Sequence, residues 1–90
     1  KAFYCPDTLK KAVVINALEK WKKRREEAEV VTIDGAKIIY PDGSWVLLRP
    51  SGTEPVFRVY TESQDFTRAQ ELMKIGSDLI KDSLLRARAC

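Results

Sequence analysis

The strongest constraint on this chain's fold is its division into a helical stretch, a series of short β-branched runs, and a second helical stretch. Val30-Val31-Thr32-Ile33 and Ala36-Lys37-Ile38-Ile39-Tyr40 are separated by Asp34-Gly35, a dipeptide that supplies the positive φ a tight hairpin turn needs. Pro41-Asp42-Gly43 marks a second turn, and the runs Trp45 to Arg49 and Val56 to Thr61 follow. Short connections make neighbouring strands antiparallel, so the middle of the chain predicts a meander of about four strands.

The flanks have helical spacing. Val14, Ala17, Leu18 and Trp21 share one face, which predicts a first helix from about Thr8 to about Glu27 with Asp7 as its N-cap. Its glutamates follow its lysines, against the helix dipole, so its last turn is expected to fray. In the last third Ala69, Leu72, Met73, Gly76, Leu79, Ile80 and Leu84 form a stripe, capped by Asp65 or by Thr67 with Gln70 in capping-box spacing. Gly76 lies on that stripe, which predicts close approach of this helix to its neighbours. Helices segregated from strands predict an α+β domain, two helices on one face of an antiparallel sheet, burying Trp21 or its neighbours Leu18 and Val14 with Leu72, Leu79 and Ile80.

Ninety residues allow one domain with a thin core and no deep cleft of its own. The 44% hydrophobic and 32% charged content is that of a soluble globular protein. No apolar run reaches the roughly 18 residues of a membrane span and no signal peptide opens the chain, so a cytoplasmic location is expected. The start at Lys1 in place of Met suggests a piece of something longer. Cys5 and Cys90 show no metal-binding spacing and no histidine accompanies them, so reduced thiols are expected and a metal is not. The missing histidine also removes the commonest general base and any Ser-His or Cys-His pair. The net charge of +3 raises the question of nucleic acid. The basic run from Lys20 to Arg25 is followed by Glu26, Glu27 and Glu29, however, which on a continuous helix would pair with Lys22, Lys23 and Arg25.

One connection stands apart. Arg49-Pro50-Ser51-Gly52-Thr53-Glu54-Pro55 has more residues than a hairpin needs and a composition suited to an anion. Arg49 offers a bidentate fork, Ser51 and Thr53 offer hydroxyls, Gly52 allows a sharp turn whose N–H groups could form an anion nest, and Pro50 and Pro55 stiffen the shoulders. The same residues are ordinary in loops, and an arginine at a strand end is often a solvated edge guard, so spacing alone leaves both readings open.

The string from Asp42 to Pro55, with Arg58-Val59-Tyr60-Thr61-Glu62 after it, closely resembles the C-terminal domain of the α-D-phosphohexomutases, the family of phosphoglucomutase, phosphomannomutase and phosphoglucosamine mutase. Cys5-Pro6-Asp7, the Asp34-Gly35 hairpin and the final helix extend the resemblance over nearly the whole chain. It implies a fold similar to the TATA-box-binding-protein type, with residues 1–6 as a hinge or linker and residues 7–90 as the domain proper. It implies three further domains in a parent enzyme, one with a phosphoserine and one with Mg²⁺, and no cofactor in this domain. It further implies that Arg49, Ser51, Gly52 and Thr53 hold the phosphate of a hexose phosphate that is not being transferred. Arg58 is less securely placed, since it could pair with Glu62. No residue here is implied as catalytic, and the isolated domain is expected to be inactive. The rival readings are a small basic nucleic-acid-binding domain, which needs exposed aromatics or arginines on an open sheet face, and a protein-interaction domain, which needs an exposed apolar patch around Trp21 or Trp45.

Overall fold

Side-chain alternation along the central segments produces one five-stranded antiparallel sheet in the computed structural model, which describes residues 1–89. The Cys90 thiol lies outside the described residues. The elements are β1 (Ala2–Tyr4), α1 (Lys10–Lys22), β2 (Glu29–Val31), β3 (Ala36–Ile39), β4 (Trp45–Pro50), β5 (Val56–Glu62) and α2 (Phe66–Ala89), and the strand order is β1-β5-β4-β3-β2. The α+β class is as expected. The fifth strand is β1, three residues in the segment expected to act as a hinge, pairing Ala2 with Arg58 and Tyr4 with Val56. Three residues show too little alternation to betray a strand, and only tertiary pairing defines it.

Ala36 and Ile38, Val46 and Leu48, and Phe57 and Val59 alternate onto one face and are fully buried. Val13, Ala17 and Trp21 of α1 and Leu72, Leu79, Ile80 and Leu84 of α2 complete a single core, while Val14 and Leu18 are only partly buried at its edge. Each fully buried aliphatic side chain contributes about 1.5–3 kcal/mol relative to exposure. A Cβ on Gly76 would come within 2.8 Å of Val59 and 2.9 Å of Val46, so α2 does approach the sheet at its glycine. The cap of α2 is Asp65, whose carboxylate accepts the Thr67 amide at 3.1 Å. Thr67 itself lies inside the helix.

α1 departs from expectation at both ends. Asp7 belongs to a 3-10 turn, Asp7–Leu9, ahead of the helix, and the helix stops at Lys22. Beyond it the amides of Lys23, Arg24 and Arg25 bond carbonyls three residues back, and Arg25 turns left-handed at φ 55°. The pairs Lys22–Glu26, Lys23–Glu27 and Arg25–Glu29 therefore do not form among the described residues, since they need an uninterrupted helix. Arg24 instead meets Glu26 at 2.8 Å and Lys20 meets Asp82 at 3.3 Å. The β2–β3 connection is also looser than a two-residue turn. Its last pair is Val31 with Lys37, and Gly35, at φ 85°, takes the left-handed position.

Candidate functional site

Where Leu48 and Val59 point into the core, the next residues along their strands point the other way, and the antiparallel register sets Arg49 of β4 directly opposite Arg58 of β5. Like charges facing each other across a sheet are destabilising. Each is met by a carboxylate: Asp34, from the β2–β3 tip, lies 3.1 Å from Arg49, and Glu54 lies 3.1 Å from Arg58. The expected partner of Arg58, Glu62, instead accepts the indole N–H of Trp45 at 3.2 Å, its cross-strand neighbour at the far end of the ladder.

The β4–β5 connection shares a recess with these arginines. The Ser51 amide donates to the Val56 carbonyl at 3.0 Å, and the Val56 amide returns to Glu54 O at 2.8 Å. Ser51 Oγ accepts the amides of Thr53 at 3.3 Å and Glu54 at 3.2 Å. Its own proton remains free to donate outward. Gly52 is not left-handed: positive φ occurs among the described residues at Arg25, Gly35 and Gly43. Gly52 therefore does not supply the left-handed residue that one form of anion nest uses. A Cβ at Gly52 would meet nothing within 4 Å, so no contact within the domain requires glycine here. The Gly52 amide has no acceptor among the described residues.

Behind the loop stands the start of the chain. The Cys5 amide donates to Pro55 O at 2.8 Å, and Lys10 Nζ reaches Ser51 O at 2.6 Å and Glu54 O at 2.7 Å. Burial pushes the Cys5 thiol above its ordinary value, with Lys10 pulling weakly the other way, so the thiol stays protonated and inert. In front, Arg49, Ser51, Gly52, Thr53 and Arg58 line one recess of about 360 Å³ together with Pro50 and Tyr60. All five residues singled out from the sequence thus meet in one place.

Four contributors are not in that set. Glu54 sits inside the same string, and its four-residue spacing to Arg58 is a legible signal. Tyr60 is two residues beyond Arg58 and so on the same sheet face. Asp34 and Lys10 carry no local signal, because their partners lie far off in the sequence. A larger hollow of about 500 Å³ between α1 and α2 carries Lys20, Lys23, Arg24 and Lys74, and, as at the smaller recess, its cations have carboxylate partners, Lys23 excepted. It lacks the opposed cations and the hydroxyls of the smaller recess. No group of three or more His, Cys, Asp or Glu among the described residues could hold a metal ion. Among the described residues no helix is long and apolar enough to cross a membrane.

The family model described as "Phosphoglucomutase/phosphomannomutase, C-terminal domain" matches residues 9–75. The chain is 48% identical over 80 residues to the phosphoglucosamine mutase of Methanococcus aeolicus, covering 89% of the chain and 17% of that protein. It is 45% identical over 74 residues to a phosphopentomutase of Thermococcus kodakarensis, covering 80% of the chain and 16% of the relative. A phosphoglucomutase/phosphomannomutase of the same organism is 39% identical over 75 residues, 83% of the chain and 16% of its own length. The chain thus spans about a sixth of the length of these curated relatives.

Proposed function

Because this chain belongs to the phosphoglucomutase/phosphomannomutase family, as its C-terminal domain, we propose that the recess at Arg49, Ser51, Gly52, Thr53 and Arg58 grips the non-transferred phosphate of a hexose phosphate within a longer mutase. The observation that carries this reading is the opposed pair Arg49 and Arg58 beside the Ser51 and Thr53 hydroxyls. Two guanidinium groups side by side, each met by a carboxylate in the empty recess, can both turn donors to a dianion, which accepts from both forks. Ser51 and Thr53 serve as donors, since the chain has no histidine to deprotonate them.

A mutase has to hold its substrate in two opposite orientations, and a site that reads only phosphate serves both. Binding energy spent there, remote from the reacting centre, orients that centre. The relatives' names support a site indifferent to the sugar, for they include a phosphoglucosamine mutase and a phosphopentomutase. In this reading the phosphoryl donor, the Mg²⁺ site and the sugar contacts belong to three other domains of a cytoplasmic enzyme, and residues 1–6, the expected link, are themselves built into this domain through β1. Among the described residues no group of three or more His, Cys, Asp or Glu could hold a Mg²⁺ ion. A nucleic-acid role is less well supported. The basic run around Lys20 to Arg25 lies at the end of α1 and not on the open sheet face.

The test is a phosphate titration of the chain followed by amide chemical shifts, with kinetics of Arg49 variants in the full-length enzyme. Alone, the recess should hold phosphate at about millimolar strength, roughly 4 kcal/mol, because the exposed ion pairs are screened. In the full-length enzyme Arg49→Ala should weaken substrate binding about ten- to a hundredfold, and Arg49→Lys should recover only part, lacking the bidentate fork. Phosphate shifting amides elsewhere while leaving Ser51, Gly52 and Thr53 unmoved, with wild-type kinetics in Arg49→Ala, would overturn the assignment.

A further inference from the structure

We infer that Lys10 is the positioning residue of the anion loop, an internal brace whose ammonium fixes the loop's carbonyls rearward so that its free donors stand toward the recess; this rests on the phosphate reading above. Three contacts carry the inference. Lys10 Nζ lies 2.6 Å from Ser51 O, 2.7 Å from Glu54 O and 2.6 Å from Asp7 Oδ1. An ammonium has three donors, and here each has one acceptor. The Lys10 side chain is only 13% exposed, whereas Asp7 is 82% exposed, so this is no solvated surface lysine that happens to touch a loop.

The two carbonyls bracket the stretch whose donors matter. Ser51 O and Glu54 O flank Gly52 and Thr53, and tying both to one cation fixes the span between them. With Ser51 Oγ occupied inside the loop, the Gly52 amide, the Thr53 hydroxyl and the Ser51 proton are what remains for a ligand. Cys5 N holds Pro55 O from the same side, so Cys5, Asp7 and Lys10 together form a brace between the β1–α1 junction and the loop. The charges around the site are matched, Arg49, Arg58 and Lys10 against Asp34, Glu54 and Asp7. With little net attraction for an anion, affinity depends on donors being held in place, which is what such a brace supplies.

The experiment compares wild type, Lys10→Met and Lys10→Arg in the chain, by phosphate titration at low and high salt and by amide hydrogen exchange. Lys10→Met keeps the stem but not the donors. It should bind phosphate about tenfold more weakly, because the loop's donors are no longer held in place. The Ser51 and Val56 amides should exchange faster, while the Ile38 and Val46 amides in the core stay protected. The deficit should persist at about 1 M salt, where the screening length is about 3 Å and a merely long-range charge effect would vanish. A deficit that salt abolishes, or wild-type affinity with wild-type loop exchange, overturns the inference. Should Lys10→Met not fold, Lys10→Arg carries the same test: its planar fork cannot spread over three converging acceptors, so weakened binding with faster loop exchange supports the brace, and wild-type behaviour refutes it. If phosphate leaves the wild-type loop unmoved, the phosphate reading falls. The brace is then judged by exchange alone, unchanged rates at Ser51 and Val56 in the variants counting against it.

Discussion

Gly35 and Gly43 share almost the same left-handed backbone, φ 85° and 87°, yet one methyl group should affect them very differently. A Cβ on Gly43 meets nothing within 4 Å, so Gly43→Ala should lose only the left-handed penalty, about 1–2 kcal/mol. A Cβ on Gly35 would collide with the Leu48 carbonyl oxygen and lie 3.1 Å from Arg49 Cα. Gly35→Ala should therefore cost at least about 3 kcal/mol, strain and overpacking adding to the same penalty. Urea unfolding of the two variants checks this, and equal losses would show that the β2–β3 tip yields without cost. The sequence marks Asp34-Gly35 as a turn, but that this glycine backs onto the arginine-bearing strand is a tertiary fact with no local trace. The same holds for the site. Composition alone picks out Arg49, Ser51 and Thr53, and the Arg49–Arg58 opposition can be counted once the hairpin is centred on Thr53 and Glu54. Lys10 has no such handle, because its acceptors are backbone carbonyls 41 and 44 residues away.

At the scale of elements, the end of α1 is held by a polar chain that periodicity cannot foretell. Trp21 Nε1 donates to Tyr40 Oη at 3.2 Å, Tyr40 Oη donates to Glu26 at 3.1 Å, and Arg24 Nε meets the same Glu26 oxygen at 2.8 Å. Arg68 of α2 stacks 4.8 Å from the Tyr40 ring, so both helices and the end of β3 meet here. The chain leaves the helix at Lys22 and turns left-handed at Arg25, which brings Glu26 to Tyr40 and Arg24 although helical spacing of charges continues toward Glu29. The Arg24 hydrogen bond first, and that from Tyr40 after it, hold the Glu26 carboxyl below its ordinary 4.5, against the opposing effect of burial. A carboxylate with a depressed folded-state pKa adds stability that is present above its unfolded value and lost as pH falls through the folded one. Glu26→Gln should therefore be less stable than wild type at pH 7, with the gap narrowing below about pH 4.5 as the wild-type carboxylate protonates. Unfolding free energies of both proteins between pH 3 and pH 7 provide the measurement, and a gap independent of pH would show that the charge on Glu26 contributes nothing.

Taken as a whole, the molecule is one thin two-layer domain whose exposed sheet face carries at one end the recess lined by Arg49, Ser51, Thr53 and Arg58. Fold class and both helices are legible in the sequence because burial on one side leaves a period of 3.6 or 2. The edge strand β1 is not, since its three residues acquire meaning only through pairing with Arg58, Phe57 and Val56. Phosphoryl transfer needs a donor or nucleophile, stabilisation of the charge on the transferred group, and a proton acceptor, all brought within reach of one substrate. Here Ser51 has its oxygen occupied by two amides, there is no histidine to act as base, and no cluster of acidic side chains among the described residues could hold a metal. The recess lies open on the sheet face, so water would compete for any phosphate bound there. The chain by itself should thus bind inorganic phosphate and a sugar monophosphate with similar, roughly millimolar affinity, because it touches only the group they share. It should interconvert neither a hexose 1-phosphate nor its 6-phosphate. The measurement is a coupled assay on purified chain beside an Arg49→Ala control: turnover that survives repurification and disappears in the control would place a reacting group in this domain, and a sugar phosphate bound a hundredfold more tightly than phosphate would mean that the domain reads the sugar as well.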